Sequence, residues 1–132
     1  MALLDHTIVP VRDADASVRF YVEILGLQAD GQDGPFSVVR VTRETLLLLA
    51  PWGTDGGQHL AFAMTPEEFD ATFARIKEAG IPYGDSFDDV GNMRGPGNEF
   101  GARGMGPAVY LFDPNQHLIE IRHYDDAVTA PV

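Results

Sequence analysis

Apolar and polar positions alternate over two short stretches that both begin with histidine, "HTIVPV" at residues 6–11 and "HLAFAM" at residues 59–64. Each predicts a strand with one buried face, because alternate strand residues point to opposite sides. The pattern then changes period. Val18, Tyr21, Val22 and Leu25 follow the first stretch, and Phe69, Phe73 and Ile76 the second, at helical spacing, with Thr72 adding a methyl. Asp13 or Asp15 can cap the first helix. "TPEE" gives the second an N-cap in Thr65, a first-turn proline in Pro66 and a capping-box partner in Glu68. Gly26 and Gly80 stand where a left-handed residue ends a helix.

Three strands are predicted after each helix. They are "GLQAD", "FSVVRV" and "TLLLLA" in the first half, and "IPYGD", "PAVYLF" and "HLIEI" in the second, all bounded by turn residues. The chain therefore reads as an α+β protein of two βαβββ modules in register. Module one spans about residues 1–53, module two about 57–124, and 125–132 form a tail. A lone module cannot bury both its helix and its sheet face, so the two sheets are expected to pair, within one chain or between two. The segment "SFDDVGNMRGPGNEFGARGMG", residues 86–106, shows no sustained apolar period and is expected to be a lid or a mobile connection.

A length of 132 residues with 45% hydrophobic and 22% charged side chains fits one globular domain. The formal charge of −11 argues against a surface that neutralises phosphates, so neither nucleic acid nor anionic membrane is an expected partner. The chain has no cysteine, which removes thiolate catalysis and zinc–sulfur sites. With no apolar leader and no membrane-length run after "MALLD", a cytoplasmic location is expected. "GPGNEFG" is not a dinucleotide fingerprint, having one residue too many before its last glycine, and "DADAS" lacks the glycine and glutamate of a calcium loop.

The chemistry concentrates at the end of module two. In "YLFDPNQHLIEIRHY" a carboxylate, Glu120, interrupts the most apolar strand and shares its face with Leu118 and Arg122. A buried carboxylate needs a partner, which can be Arg122 or another segment. His6 and His59 occupy equivalent positions of the two modules. Two imidazoles and one carboxylate make a facial triad that suits Fe(II), with Mn, Zn, Co or Ni as further possibilities. Taken singly, a strand histidine is more often a hydrogen-bonded core or rim residue than a ligand, and a strand glutamate more often pairs with an arginine such as Arg122.

The stretches "DHTIVPVRD", "FYVEILGL", "HLAFAM" and above all "YLFDPNQHLIEI" resemble the vicinal oxygen chelate superfamily of glyoxalases, extradiol dioxygenases, fosfomycin-modifying enzymes and bleomycin-resistance proteins. The resemblance covers essentially the whole chain. It implies paired modules forming a cup-shaped mixed sheet, with His6, His59 and Glu120 as ligands of a divalent ion, and a homodimer. Tyr110, ten residues before Glu120, matches a tyrosine that hydrogen-bonds a metal-bound substrate oxygen, or it fills the cup beside Ala108 and Phe112. Arg122 is a candidate for binding an anionic substrate, as are Arg94 and Arg103 from the long segment.

Departures from the family narrow the chemistry. "TLLLLAP" offers leucines where glyoxalase I-like enzymes have a further glutamate. The upstream histidine of extradiol dioxygenases is missing, Ile8 replaces the threonine of fosfomycin-modifying enzymes, and Gln116 replaces a turn glycine. The expected function is a metalloenzyme that chelates a small substrate through adjacent oxygens, dioxygenase-like, with Fe(II). The alternatives are a non-oxidative isomerase, lyase or thiol transferase of the same superfamily, or a metal-free protein that binds an antibiotic or similar small molecule.

Overall fold

The computed structural model describes residues 1–125; beyond its first residue, the expected tail 125–132 lies outside them. The described chain forms two compact units, residues 1–58 with 113–116, and residues 59–112 with 117–125. Each unit contains one sheet with mostly antiparallel pairing and a helix, so the protein is α+β.

In the first unit, strands β1 (His6–Pro10), β2 (Gln28–Asp33), β3 (Phe36–Arg40) and β4 (Leu46–Ala50) lie in the order β1-β4-β3-β2. β4 is central, parallel to β1 and antiparallel to β3. Its unbroken leucine run suits a strand buried on both faces. Helix α1 (Ala14–Arg19) is capped by Asp13, whose carboxylate accepts from the Ala16 amide at 3.0 Å. The helix then continues through a π turn, Phe20–Ile24, closed by the Leu25 amide on the Phe20 carbonyl at 3.2 Å. The wider turn rotates the buried stripe relative to a regular helix. Ser17, Phe20, Tyr21 and Leu25 are buried, whereas Val18 and Val22 of the expected stripe are only half-buried.

The segment Asp113–Gln116 packs with this first unit. Asp113 accepts from the Tyr21 hydroxyl at 2.7 Å, and the fully buried Asn115 donates to Ser17 Oγ at 3.1 Å and accepts from the Arg12 amide at 2.8 Å. Buried polar groups are tolerated here because each has a partner. The turn keeps its left-handed residue although glycine is absent, with Gln116 at φ 67°.

In the second unit, β5 (His59–Ala63), β6 (Tyr83–Gly84), β8 (Gly104–Phe112) and β9 (Leu118–Arg122) lie in the order β5-β9-β8-β6. Helix α2 (Pro66–Glu78) starts with the expected Thr65–Glu68 capping box. Its buried stripe, Phe69, Thr72, Phe73 and Ile76, meets Tyr83 and His123 in edge-to-face ring contacts at 5.0 and 5.1 Å.

The segment 86–106, expected to be a lid or a mobile connection, contains a strand that its lack of apolar period did not predict. Its second half is a hairpin, in which β7 (Gly97–Gly101) pairs antiparallel with β8 from Gly101 opposite Gly104 to Gly97 opposite Ala108. The glycines that hide this strand from a periodicity reading are close-approach residues. A Cβ at Gly106 would meet the His123 carbonyl, and one at Gly101 would meet the guanidinium of Arg122. The first half is an irregular loop held by Asn92 donating to Asp85 at 2.7 Å and by Arg94 pairing with Asp85 at 3.3 Å. Among the described residues no helix is long and apolar enough to cross a membrane.

Candidate metal centre

Strand register gathers the candidate residues of the second unit on one face. β5 is parallel to β9 with His59 level with Leu118, Ala61 with Glu120 and Ala63 with Arg122. β8 is antiparallel to β9 with Tyr110 opposite Glu120 and Ala108 opposite Arg122. Directly paired residues project to the same side. His59, Glu120, Arg122 and Tyr110 therefore share a face, and the alanines at 61 and 63 leave room above it.

The side chains converge as that register requires. His59 Nε2 lies 3.0 Å from Glu120 Oε1, and Arg122 Nη1 donates to Glu120 Oε2 at 2.9 Å. His59 and Arg122 thus each meet a different oxygen of the carboxylate. Glu120 is 6% exposed and Arg122 1%, whereas the His59 side chain remains 49% exposed. The burial question raised by Glu120 has a structural answer in its own strand, since Arg122 supplies the opposing charge.

Tyr110 is 4% exposed. Its phenol is pushed up to about 12, first by burial and then by the negative charges of Glu120 and Glu99, with a hydrogen bond to Glu120 adding to the effect and the Arg122 cation opposing it. The phenol is therefore protonated at neutral pH and is a hydrogen-bond donor beside the carboxylate.

Arg122, expected as an anchor for an anionic substrate, is instead enclosed. Besides Glu120, its Nη2 donates to the Glu99 carbonyl at 2.9 Å and the Gly106 carbonyl at 3.5 Å, and its guanidinium lies 4.4 Å from the Tyr124 ring centroid. Glu99 and Gly101 were absent from the sequence-based candidates. The signal available was the alternation of Gly97, Glu99 and Gly101, which marks one strand face pressed against a neighbour. Arg94 is engaged by Asp85 and Asp89, and Arg103 is an exposed residue of the hairpin turn. Trp52 is largely exposed and touches Phe36 edge-on at 5.8 Å.

His6 opens β1 in the first unit, exposed, with its Nδ1 2.6 Å from the neighbouring Asp5 carboxylate. Among the described residues no three His, Asp or Glu side chains are gathered into one group able to hold an ion. The pair His59–Glu120 nonetheless fits the requirements of a divalent ion. It offers one imidazole nitrogen, on a side chain that is 49% exposed, and one carboxylate oxygen, both ligand types for such an ion. Their 3.0 Å separation equals that of two ligand atoms about 2.1 Å from a common centre at right angles.

This fold belongs to a recognised class. The profile of the Glyoxalase/Bleomycin resistance protein/Dioxygenase superfamily matches residues 3–121, and the chain is a member of that superfamily. Among solved structures it is similar to Oxidase ChaP-H1, with 36% identity and a TM-score of 0.78 over 97% of this chain and all of that one. It is also similar to the Virulence protein STM3117 of Salmonella typhimurium, with 26% identity over 92% of this chain and 83% of that protein. TnmS3, an antibiotic binding protein from Streptomyces sp. CB03234, shares the fold at 23% identity and a TM-score of 0.71, covering 95% of this chain and 98% of that one.

Proposed function

We infer that the protein is a metal-dependent enzyme acting on a small molecule that presents two adjacent oxygens, and that its reaction is oxidative and dioxygenase-like. The observation carrying this reading is the His59–Glu120 pair, a nitrogen and an oxygen ligand 3.0 Å apart on adjacent strands and open on the imidazole side. The 36% identity to a protein named as an oxidase supports the oxidative subclass over isomerase, lyase or thiol-transfer chemistry. His59, Glu120 and His6 would hold the ion, with Fe(II) the metal that best suits two imidazoles and a carboxylate. When bound, the ion lowers the cost of an anionic, enolate- or catecholate-like form of the substrate by Lewis acidity and provides a site for dioxygen.

The chain's own residues do the rest. Arg122 lies against Glu120 inside the sheet, its Nη1 donating to Oε2 at 2.9 Å. Tyr110 keeps its proton and donates a hydrogen bond toward a substrate oxygen beside Glu120. His6 would be supplied by a second copy of the chain, completing the set of two imidazoles and one carboxylate with His59 and Glu120. The working form is accordingly a homodimer in the cytoplasm.

The test is anaerobic reconstitution with Fe(II), metal analysis and oxygen uptake with a panel of catechols, for the parent and His59→Ala. Near-stoichiometric iron and uptake in the parent, both lost in the variant, are expected. A parent that retains no divalent ion after reconstitution would refute the metalloenzyme reading. A second reading, a metal-free small-molecule binder, draws on one observation: Glu120 already has its charge met by Arg122 without any ion. It predicts unchanged ligand binding in His59→Ala.

A further inference from the structure

An arginine and a carboxylate this close would ordinarily pair as a two-pronged fork, both guanidinium nitrogens meeting both oxygens. Here they do not. Arg122 gives Nη1 to Glu120 Oε2 at 2.9 Å but gives Nη2 to the Glu99 carbonyl of β7, also at 2.9 Å. Oε1 is left to His59. The guanidinium has little freedom to choose otherwise. One side lies against the backbone of Gly101, where any Cβ would overlap it, and it stacks 4.4 Å from the Tyr124 ring centroid. The arginine is 1% exposed, so solvent does not compete for its donors.

We propose that Arg122 is a positioning residue, held by the β7–β8 hairpin so that it grips only Oε2 of Glu120 and leaves Oε1 presented beside His59. The Glu99 carbonyl is what diverts Nη2 from the fork. The glycine at 101 is what lets the guanidinium lie in that groove. The seating of a hairpin far along the chain from the carboxylate thereby determines which carboxylate oxygen is available for a ligand. This inference rests on the metal-site reading for its consequence, but its geometric content is independent of a metal.

Two variants test it without touching His59 or Glu120. Gly101→Ala displaces the guanidinium while keeping it in the chain, and Arg122→Lys keeps the charge while removing the planar fork. Arg103→Ala, in the exposed hairpin turn, is the control. Two readouts are taken on each folded protein. One is the ring-nitrogen resonances of His59 in metal-free protein, assigned among the four histidines by His59→Ala. The other is Co(II) affinity by chelator competition. Both variants are expected to move the His59 resonances and to weaken Co(II) binding by about tenfold or more, the usual size of an outer-sphere effect, with Arg103→Ala unchanged. His59 resonances at parental positions in both variants would overturn the inference, as would Co(II) affinities within about twofold of the parent. A lowered melting temperature with unmoved His59 signals would also overturn it, since that pattern describes a merely structural arginine. A parent that fails to bind Co(II) refutes the metal-site reading instead, and the role of Arg122 is then judged by the His59 resonances alone.

Discussion

Replacing Glu120 by glutamine should cost the fold far more than an exposed Glu-to-Gln change. The substitution preserves shape and removes the charge that balances Arg122, which is 1% exposed and 2.9 Å from the carboxylate. The two carbonyls that Nη2 meets, those of Glu99 and Gly106, contribute dipoles but no net charge. Removing one partner of a buried ion pair costs about 3–5 kcal/mol, against about 0–1 kcal/mol for an exposed pair. For a chain of this length, each kcal/mol corresponds to roughly 3–5 °C in melting temperature. Glu120→Gln should therefore melt about 10–25 °C below the parent. Arg122→Met should fall in the same range, because it strands the carboxylate. The double replacement Glu120→Leu with Arg122→Met removes both charges and should recover most of the loss. Urea unfolding of the parent, the two single variants and the double variant, all free of metal, gives the coupling directly. A single-variant cost below about 1 kcal/mol, or a double variant as unstable as the sum of the singles, would refute a desolvated pair.

Other consequences are open to test. The Tyr21 phenol is raised by burial, by the charge of Asp113 and by its hydrogen bond to it, and Tyr110 is raised to about 12. Both hold their protons more tightly when folded, so their contribution is complete below the unfolded tyrosine value near 10 and is lost as pH climbs through the folded values. Unfolding free energy should fall with pH above about 10, and tyrosinate absorbance should lag behind that of a denatured control; a curve flat to pH 12 would contradict this. Gln116 holds a left-handed φ of 67°, so Gln116→Gly should raise stability by about 0.5–1 kcal/mol in urea unfolding. If His6 serves the partner's site, mixing inactive His6→Ala and His59→Ala chains should restore about one quarter of parental activity, since half the dimers are mixed and each has one intact site. A site completed within one copy predicts no restoration.

The repeated histidine strand and the two capped helices were readable from the chain, because alternation, capping and turn chemistry act over a few residues. So was the anomaly of Glu120 in an apolar strand, together with Arg122 as a possible partner two residues on. The π turn was not readable. It shifts the buried stripe of α1 by inserting one residue into a single turn, a choice made by packing of Phe20 and Tyr21 rather than by local propensity. The β7–β8 hairpin was hidden as well, since glycines at 97, 101, 104 and 106 have no side chains with which to announce a strand.

The residue types of a candidate metal centre and the strand that holds Glu120 were thus determined by sequence alone. Tertiary structure decided how they are used. An arginine's reach says nothing about its target, and only the approach of Glu99 and Gly101 from a distant strand turns Arg122 inward, closing it to solvent and dividing the two oxygens of Glu120 between a cation and an imidazole.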